Sequence, residues 1–119
     1  MIKTNGRLTY TVDGGKLTLC LTGEIDHHSA LVLREEADAL IYRLRPHTVA
    51  VDLSSIEFMD SSGLGFIMGR YALLRKLGGE LIMQDPSPRV SKILALAGME
   101  RIIKTERKAS LKEGAEKKK

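Results

Sequence analysis

At 119 residues, with 43% hydrophobic and 29% charged side chains, the chain has the composition of one soluble globular domain, long enough to bury roughly two-thirds of its unfolded surface. Two Phe, three Tyr and no Trp leave an aliphatic core and argue against an aromatic stacking platform for single-stranded nucleic acid. The net charge of +4 is uneven: Glu106 to Lys119 hold six Lys/Arg and three Asp/Glu, so +3 lies there and +1 on the rest, which speaks for a solvated tail rather than a basic nucleic-acid-binding face.

The first residues, Met1 to Gly6, lack the apolar stretch of a secretory signal, and no run approaches the roughly 18 apolar residues of a membrane span. Arg7 to Val12 and Lys16 to Leu21 are β-rich runs on either side of Asp13-Gly14-Gly15, which supplies the positive φ angles of a tight hairpin. The single cysteine, Cys20, falls in the second run and reads as a small buried hydrophobe; with no partner for a disulfide, a reduced cytoplasmic protein is expected.

After Thr22-Gly23-Glu24-Ile25, Asp26 is placed to cap a helix over His27 to Arg43, with Ala30, Leu33, Ala37, Leu40 and Leu44 along one face. Arg45-Pro46-His47 ends it, because proline disfavours helix at the residue before it. Thr48 to Leu53 reads as a short buried strand, followed by a loop from Ser54 to Met59. A second helix begins at Asp60 or Ser61 and runs to Leu77, with Leu64, Ile67, Met68, Tyr71 and Leu74 as its apolar stripe; Gly78-Gly79 stops it.

Glu80 to Gln84 is the next strand. Ser87-Pro88 supplies an N-cap and a proline at the first helical position of a third helix, with Val90, Ile93, Leu94 and Ala97 inward and Gly98 at its end. Arg101 to Thr105 can add a last short strand. The polar segment from Glu106 reads as a tail with the character of a frayed helix, so residues 1–105 form the domain and 106–119 the basic tail. The order β-β-α-β-α-β-α implies an α/β fold, a small mixed β-sheet covered by helices.

Chemistry concentrates in Phe58-Met59-Asp60-Ser61-Ser62-Gly63-Leu64-Gly65, which sets two hydroxyls and a carboxylate at a helix start. Backbone N–H groups there lack intrahelical partners and favour an anion, so a phosphate on either serine would be accommodated. Gly63 and Gly65 would let another surface come close to the backbone. The plainer alternative is capping by Asp60 and the serines, with Gly65 and Gly69 allowing tight packing on the sheet.

Enzyme readings fail on spacing. Gly63-x-Gly65-x-x-x-Gly69 is one residue too long for a dinucleotide fingerprint, no phosphate loop with Gly-Lys is present, and the serines lie in no Gly-x-Ser-x-Gly elbow. Asp26-His27-His28 offers metal ligands only if further carboxylates complete the set, since adjacent helical histidines diverge; a polar first turn explains them as well. No cofactor is implied.

Gly23-Glu24-Ile25-Asp26-His27-His28, the strand Val49-Ala50-Val51-Asp52-Leu53 and Phe58 to Gly65 together resemble the anti-sigma factor antagonists of the STAS domain family. The likeness covers about residues 7–105, and the pairing of Glu-Ile-Asp-His-His with Phe-Met-Asp-Ser-Ser is similar to the sporulation, sigma-F branch of endospore-forming bacteria. The resemblance implies a STAS-like fold and a binding protein rather than an enzyme. It implies Ser61 as phosphoacceptor for a partner that is both anti-sigma factor and serine kinase, a phosphatase that restores the serine, and no direct nucleic-acid or membrane partner. Gly23, Asp26, Asp60, Ser62 and Gly63 are then the docking residues. The rivals are an antagonist in a general stress pathway, a nucleotide-binding domain using the glycine-rich helix start, and the cytoplasmic domain of an anion transporter, which shares the fold but would need spans that this sequence lacks.

Overall fold

A computed structural model describes residues 6–108. The elements run β1 (Gly6–Asp13), β2 (Lys16–Ile25), α1 (His27–Leu44), β3 (Thr48–Met59), α2 (Ser61–Lys76), β4 (Glu80–Gln84), α3 (Pro88–Leu96), a 3-10 turn (Met99–Arg101) and β5 (Lys104–Glu106). The five strands lie in sequence order in one mixed sheet: β1 pairs antiparallel with β2, and β2 through β5 are parallel. The expected order therefore holds, with the last strand present but moved to Lys104–Glu106, because Met99–Arg101 coils into a 3-10 turn first. The tail expectation falls almost wholly on residues 109–119, outside the described residues.

Local chemistry explains most of these boundaries. Gly14 and Gly15 both take positive φ, 54° and 85°, so the β1–β2 hairpin closes through a two-residue turn whose twist matches its strands. Asp26 caps α1 reciprocally with Ser29: the Asp26 carboxylate accepts the Ser29 N–H at 2.9 Å and the Ser29 hydroxyl accepts the Asp26 N–H at 3.0 Å. Ser87 caps α3 by accepting the Val90 N–H at 3.3 Å, with Pro88 at the first helical position.

The inward pleat of the sheet (Leu17, Leu19 and Leu21; Val49, Val51 and Leu53; Leu81 and Met83) joins side chains from all three helices in one core cluster. The helices therefore share one face. Ala50 and Ile82 are buried as well, but on alternate pleat positions outside that cluster, as are the half-buried Cys20 and the fully buried Gln84.

Helix faces depart from expectation in particular places. On α1, Ile41 and Ser29 are buried, whereas Leu44 is exposed; on α3, Ala97 is exposed. On α2 the buried residues are Gly63, Phe66, Ile67, Arg70 and Leu74, with Leu64, Met68 and Tyr71 only partly covered. Arg70 is the surprise: a guanidinium 6% exposed, its Nε 2.7 Å from Asp38 Oδ1 of α1. Nη1 donates to the Phe66 carbonyl at 3.3 Å, and the guanidinium carbon lies 5.3 Å from the Phe66 ring centroid. Burial pulls this guanidinium below its ordinary value, and the Asp38 carboxylate opposes that pull.

The loop expected at Ser54–Met59 is instead strand. β3 continues to Met59 alongside β2, but with two register shifts, between Cys20 and Thr22 and between Gly23 and Glu24. At each shift β3 carries one residue more than β2, as in a β-bulge. Buried positions consequently fall three apart, at Leu53, Ile56 and Met59, rather than two apart. Ser54, Ser55, Glu57 and Phe58 are left exposed between them.

Candidate partner-docking site

The bulged ends of β2 and β3 carry both helix starts to one place. Ile25 pairs with Met59, and the Asp60 N–H donates to the Ile25 carbonyl at 3.2 Å. The cap of α1, Asp26, and the cap of α2, Asp60, are thereby neighbours across two parallel strands. Gly23 lies in the β2 segment leading there, at φ 88° beside the second bulge, a conformation that favours glycine.

Ser61 opens α2 and is exposed, and among the described residues its hydroxyl makes no hydrogen bond. Its surroundings are well fixed. The Asp60 carboxylate accepts the Ser62 N–H at 2.8 Å, and the Asp60 carbonyl takes the N–H groups of Gly63 at 3.0 Å and Leu64 at 3.3 Å. Of the leading N–H groups of this helix, only that of Ser61 is left for an incoming anion. The helix start is thus less open to phosphate than its composition implied, and the Asp60 carboxylate stands beside it.

Sequence-selected residues divide into those that face outward and those that support. Ser61 and Asp60 are exposed; Asp26, Gly23 and Ser62 are half-buried. Gly63 is buried, and a Cβ built there would lie 2.6 Å from Met59 Cβ. It holds α2 down on β3 from beneath instead of presenting backbone to a partner. Gly65 and Gly69, expected to permit tight packing on the sheet, do not: a Cβ at either meets nothing within 4 Å. Gly63→Ala is therefore expected to lower unfolding free energy by about 1–2 kcal/mol, overpacking outweighing the gain in helix propensity. Gly65→Ala should raise it by about 0.5–1 kcal/mol. Urea denaturation of the two variants checks the opposite signs.

Two hollows border the site. One, of about 430 Å³, separates α1 from α2 and is lined by His27, Arg34, Ser62, Gly65, Gly69 and Arg70 among others. A shallower one, of about 670 Å³, follows the bulged strand ends past Glu24, Ser54, Ser55, Glu57 and Arg89. Phe58, 42% exposed beside the Asp60 cap, also belongs to this surface, as do Arg34 and Arg70. The three-residue spacing Leu53-Ile56-Met59 is the sequence signal that would have turned Phe58 outward; nothing local would have assembled the arginines. Among the described residues no set of three His, Cys, Asp or Glu is grouped to hold a metal, and no helix is long and apolar enough to cross a membrane.

Comparison with known families decides the kinship, since the STAS domain model matches residues 7–112. The chain belongs to the STAS domain family. Within it, this STAS domain is 39% identical over 89 residues to the anti-sigma F factor antagonist of Paenibacillus polymyxa, covering 75% of this chain and 76% of that one. It is 34% identical over 83 residues to the anti-sigma-B factor antagonist of Bacillus subtilis (strain 168), covering 70% and 74%. The fold is that of SpoIIAA in its unphosphorylated form, with a TM-score of 0.74 at 24% identity over 92% of this chain and 96% of the other. The STAS fold accounts for the single mixed sheet, at the carboxyl ends of whose inner strands β2 and β3 the two helices start.

Proposed function

We propose that this protein is an anti-sigma factor antagonist switched by phosphorylation of Ser61. The unmodified form binds an anti-sigma factor that is also a serine kinase and so frees the sigma factor of a sporulation pathway. Phosphorylation ends that binding, and a phosphatase restores it. The observation that carries the reading is Ser61 itself: exposed, its hydroxyl without a hydrogen-bond partner among the described residues, and held at the first position of a helix whose cap is locked to the neighbouring strand. A kinase needs such a hydroxyl within reach, and a switch needs it on a surface that does not give way.

The same geometry supports the remaining residues of the proposed docking surface, with Gly63 in a supporting place only. Asp26, Asp60 and Ser62 frame Ser61, Gly23 shapes the strand end, and Gly63 supports the surface from below. A phosphate brings about −1.5 to −2 charges next to the Asp60 carboxylate. In a close interface that charge opposes association through desolvation and repulsion. The sporulation branch is favoured over a general stress pathway by the higher identity to the anti-sigma F antagonist than to the anti-sigma-B one, 39% against 34%. A SpoIIAA structure in its phosphorylated form, matched with a TM-score of 0.67, is in keeping with a fold that survives the modification.

The test is intact mass after incubation with an anti-sigma F factor kinase and ATP, with peptide mapping of any shifted species. One added phosphate on the peptide carrying Ser61, absent from Ser61→Ala, is the expected result. No shift with a kinase active on its own substrate would overturn the reading and leave Ser61 as an ordinary first residue of α2 behind the Asp60 cap.

A further inference from the structure

Gly65 and Gly69 stand one turn apart inside α2, where each is less favourable than alanine by about 0.5–1 kcal/mol. Neither is needed for a close approach to the rest of the chain, since both face open space. Their missing side chains hold open the cleft toward α1. Its walls carry His27 and Arg34 of α1 and Ser62 and Arg70 of α2, and among the described residues no carboxylate lines it. Arg70 is fixed there, 6% exposed, with Nε on Asp38 and Nη1 on the Phe66 carbonyl. Its Nη2 has no hydrogen-bond partner among the described residues. Arg34 is far more exposed, at 63% of its side chain, and its 4.0 Å contact with Asp38 is a long surface pair.

We propose that this cleft receives an acidic side chain of the protein partner that docks at Ser61. The inference rests on the partner-switch reading above and adds where the partner's charge goes. Three features point to a carboxylate and to that partner: two arginines in the walls that share the single Asp38 carboxylate behind them, glycines that admit a neighbouring backbone, and continuity with the Ser61 surface through Ser62. Arginine is suited to such a contact because its planar fork can hold a carboxylate with two parallel hydrogen bonds. A phosphate on Ser61 then stands at the mouth of the cleft, repelling the incoming carboxylate and competing for Arg34.

Calorimetric titration of the anti-sigma factor kinase into wild type, Arg34→Glu and Gly69→Leu tests this, with a thermal melt of each variant. Both variants should melt no lower than about 2 °C below wild type, because Arg34 is exposed and the leucine enters open space. Both should bind at least about tenfold more weakly, and Arg34→Glu should show a flatter dependence on salt. If Gly69→Leu melts early, Gly69→Ala replaces it as the smaller filling. Wild-type affinity in both variants overturns the cleft while leaving the Ser61 switch intact. Loss in only one of the two also overturns it, since an acid seated in the cleft needs both the cation and the space. Failure of wild type itself to bind the partner overturns the switch reading, and the cleft with it.

Discussion

Ser61→Asp is expected to weaken binding to the anti-sigma factor by about a hundredfold, while Ser61→Ala stays within about threefold of wild type. The difference isolates charge from the loss of the hydroxyl. The Ser61 hydroxyl makes no hydrogen bond among the described residues, so alanine removes no side-chain bond that holds the fold together. Aspartate at the first position of a helix is favourable to the helix itself, by about 0.3–1 kcal/mol. Both variants should therefore fold with wild-type or higher stability, which a urea melt verifies. The cost to binding arises from bringing a second carboxylate beside Asp60 into a surface that loses its water on association. A hundredfold loss corresponds to about 2.8 kcal/mol, within the range for a desolvated charge left without a partner. Equal affinities for aspartate and alanine variants, measured by calorimetry, would dismiss the charge mechanism.

Asp38→Ala should be the most destabilising single change away from the core, lowering unfolding free energy by about 2–4 kcal/mol and the melting temperature by about 10–20 °C. The reason is what it leaves behind. Arginine keeps its positive charge under nearly all conditions, and Arg70 is buried, so with Asp38 gone its guanidinium is left with the Phe66 carbonyl and ring as its partners among the described residues. Removing both charges, as in Asp38→Ala with Arg70→Met, should recover most of the loss, because a methionine can occupy the same channel against Phe66 without a charge to solvate. Urea titrations of the single and double variants give the coupling directly. A single variant within about 0.5 kcal/mol of wild type would show that water reaches Arg70 freely.

The same ion pair illustrates why some of the molecule was legible in its sequence and some was not. The hairpin glycines, the Asp26 cap and Ser87-Pro88 each act through neighbours in the chain, and each boundary fell where local chemistry put it. Arg70 sits in an otherwise apolar helix stripe, and the carboxylate that makes its burial tolerable comes from another helix. No window along the chain contains both. The α1–α2 cleft is hidden for the same reason, and Gly65 and Gly69 were misread because a gap and a tight contact call for the same residue. β3 misled differently. Its apolar residues recur every third position beyond Leu53, a period that belongs to neither regular strand nor helix until two bulges are allowed.

For the candidate site, the Ser61 segment stood out by composition, and its likeness to a known family gave it a role. That Gly23 to Asp26 joins it follows from the parallel pairing of β2 with β3, which the alternation of strands and helices already implied. The exposure of Phe58 was legible only through the three-residue spacing of β3, and the arginine-lined cleft only through the packing of α1 on α2.

The double bulge also bears on how fast the protein can work. With Leu53, Ile56 and Met59 all buried, a slip of β3 by one residue would turn all three out of the core, so its register is fixed before any partner arrives. The two aspartate caps thus hold a constant separation, like the jaws of a gauge. A surface preset in this way has little conformational entropy to lose on contact. Encounter then proceeds at an ordinary protein–protein rate, about 10⁵–10⁷ M⁻¹s⁻¹, without a folding step to wait for. On the proposed switch, a phosphate at Ser61 would then act mostly on the lifetime of the complex, the off state being reached by letting go rather than by never meeting.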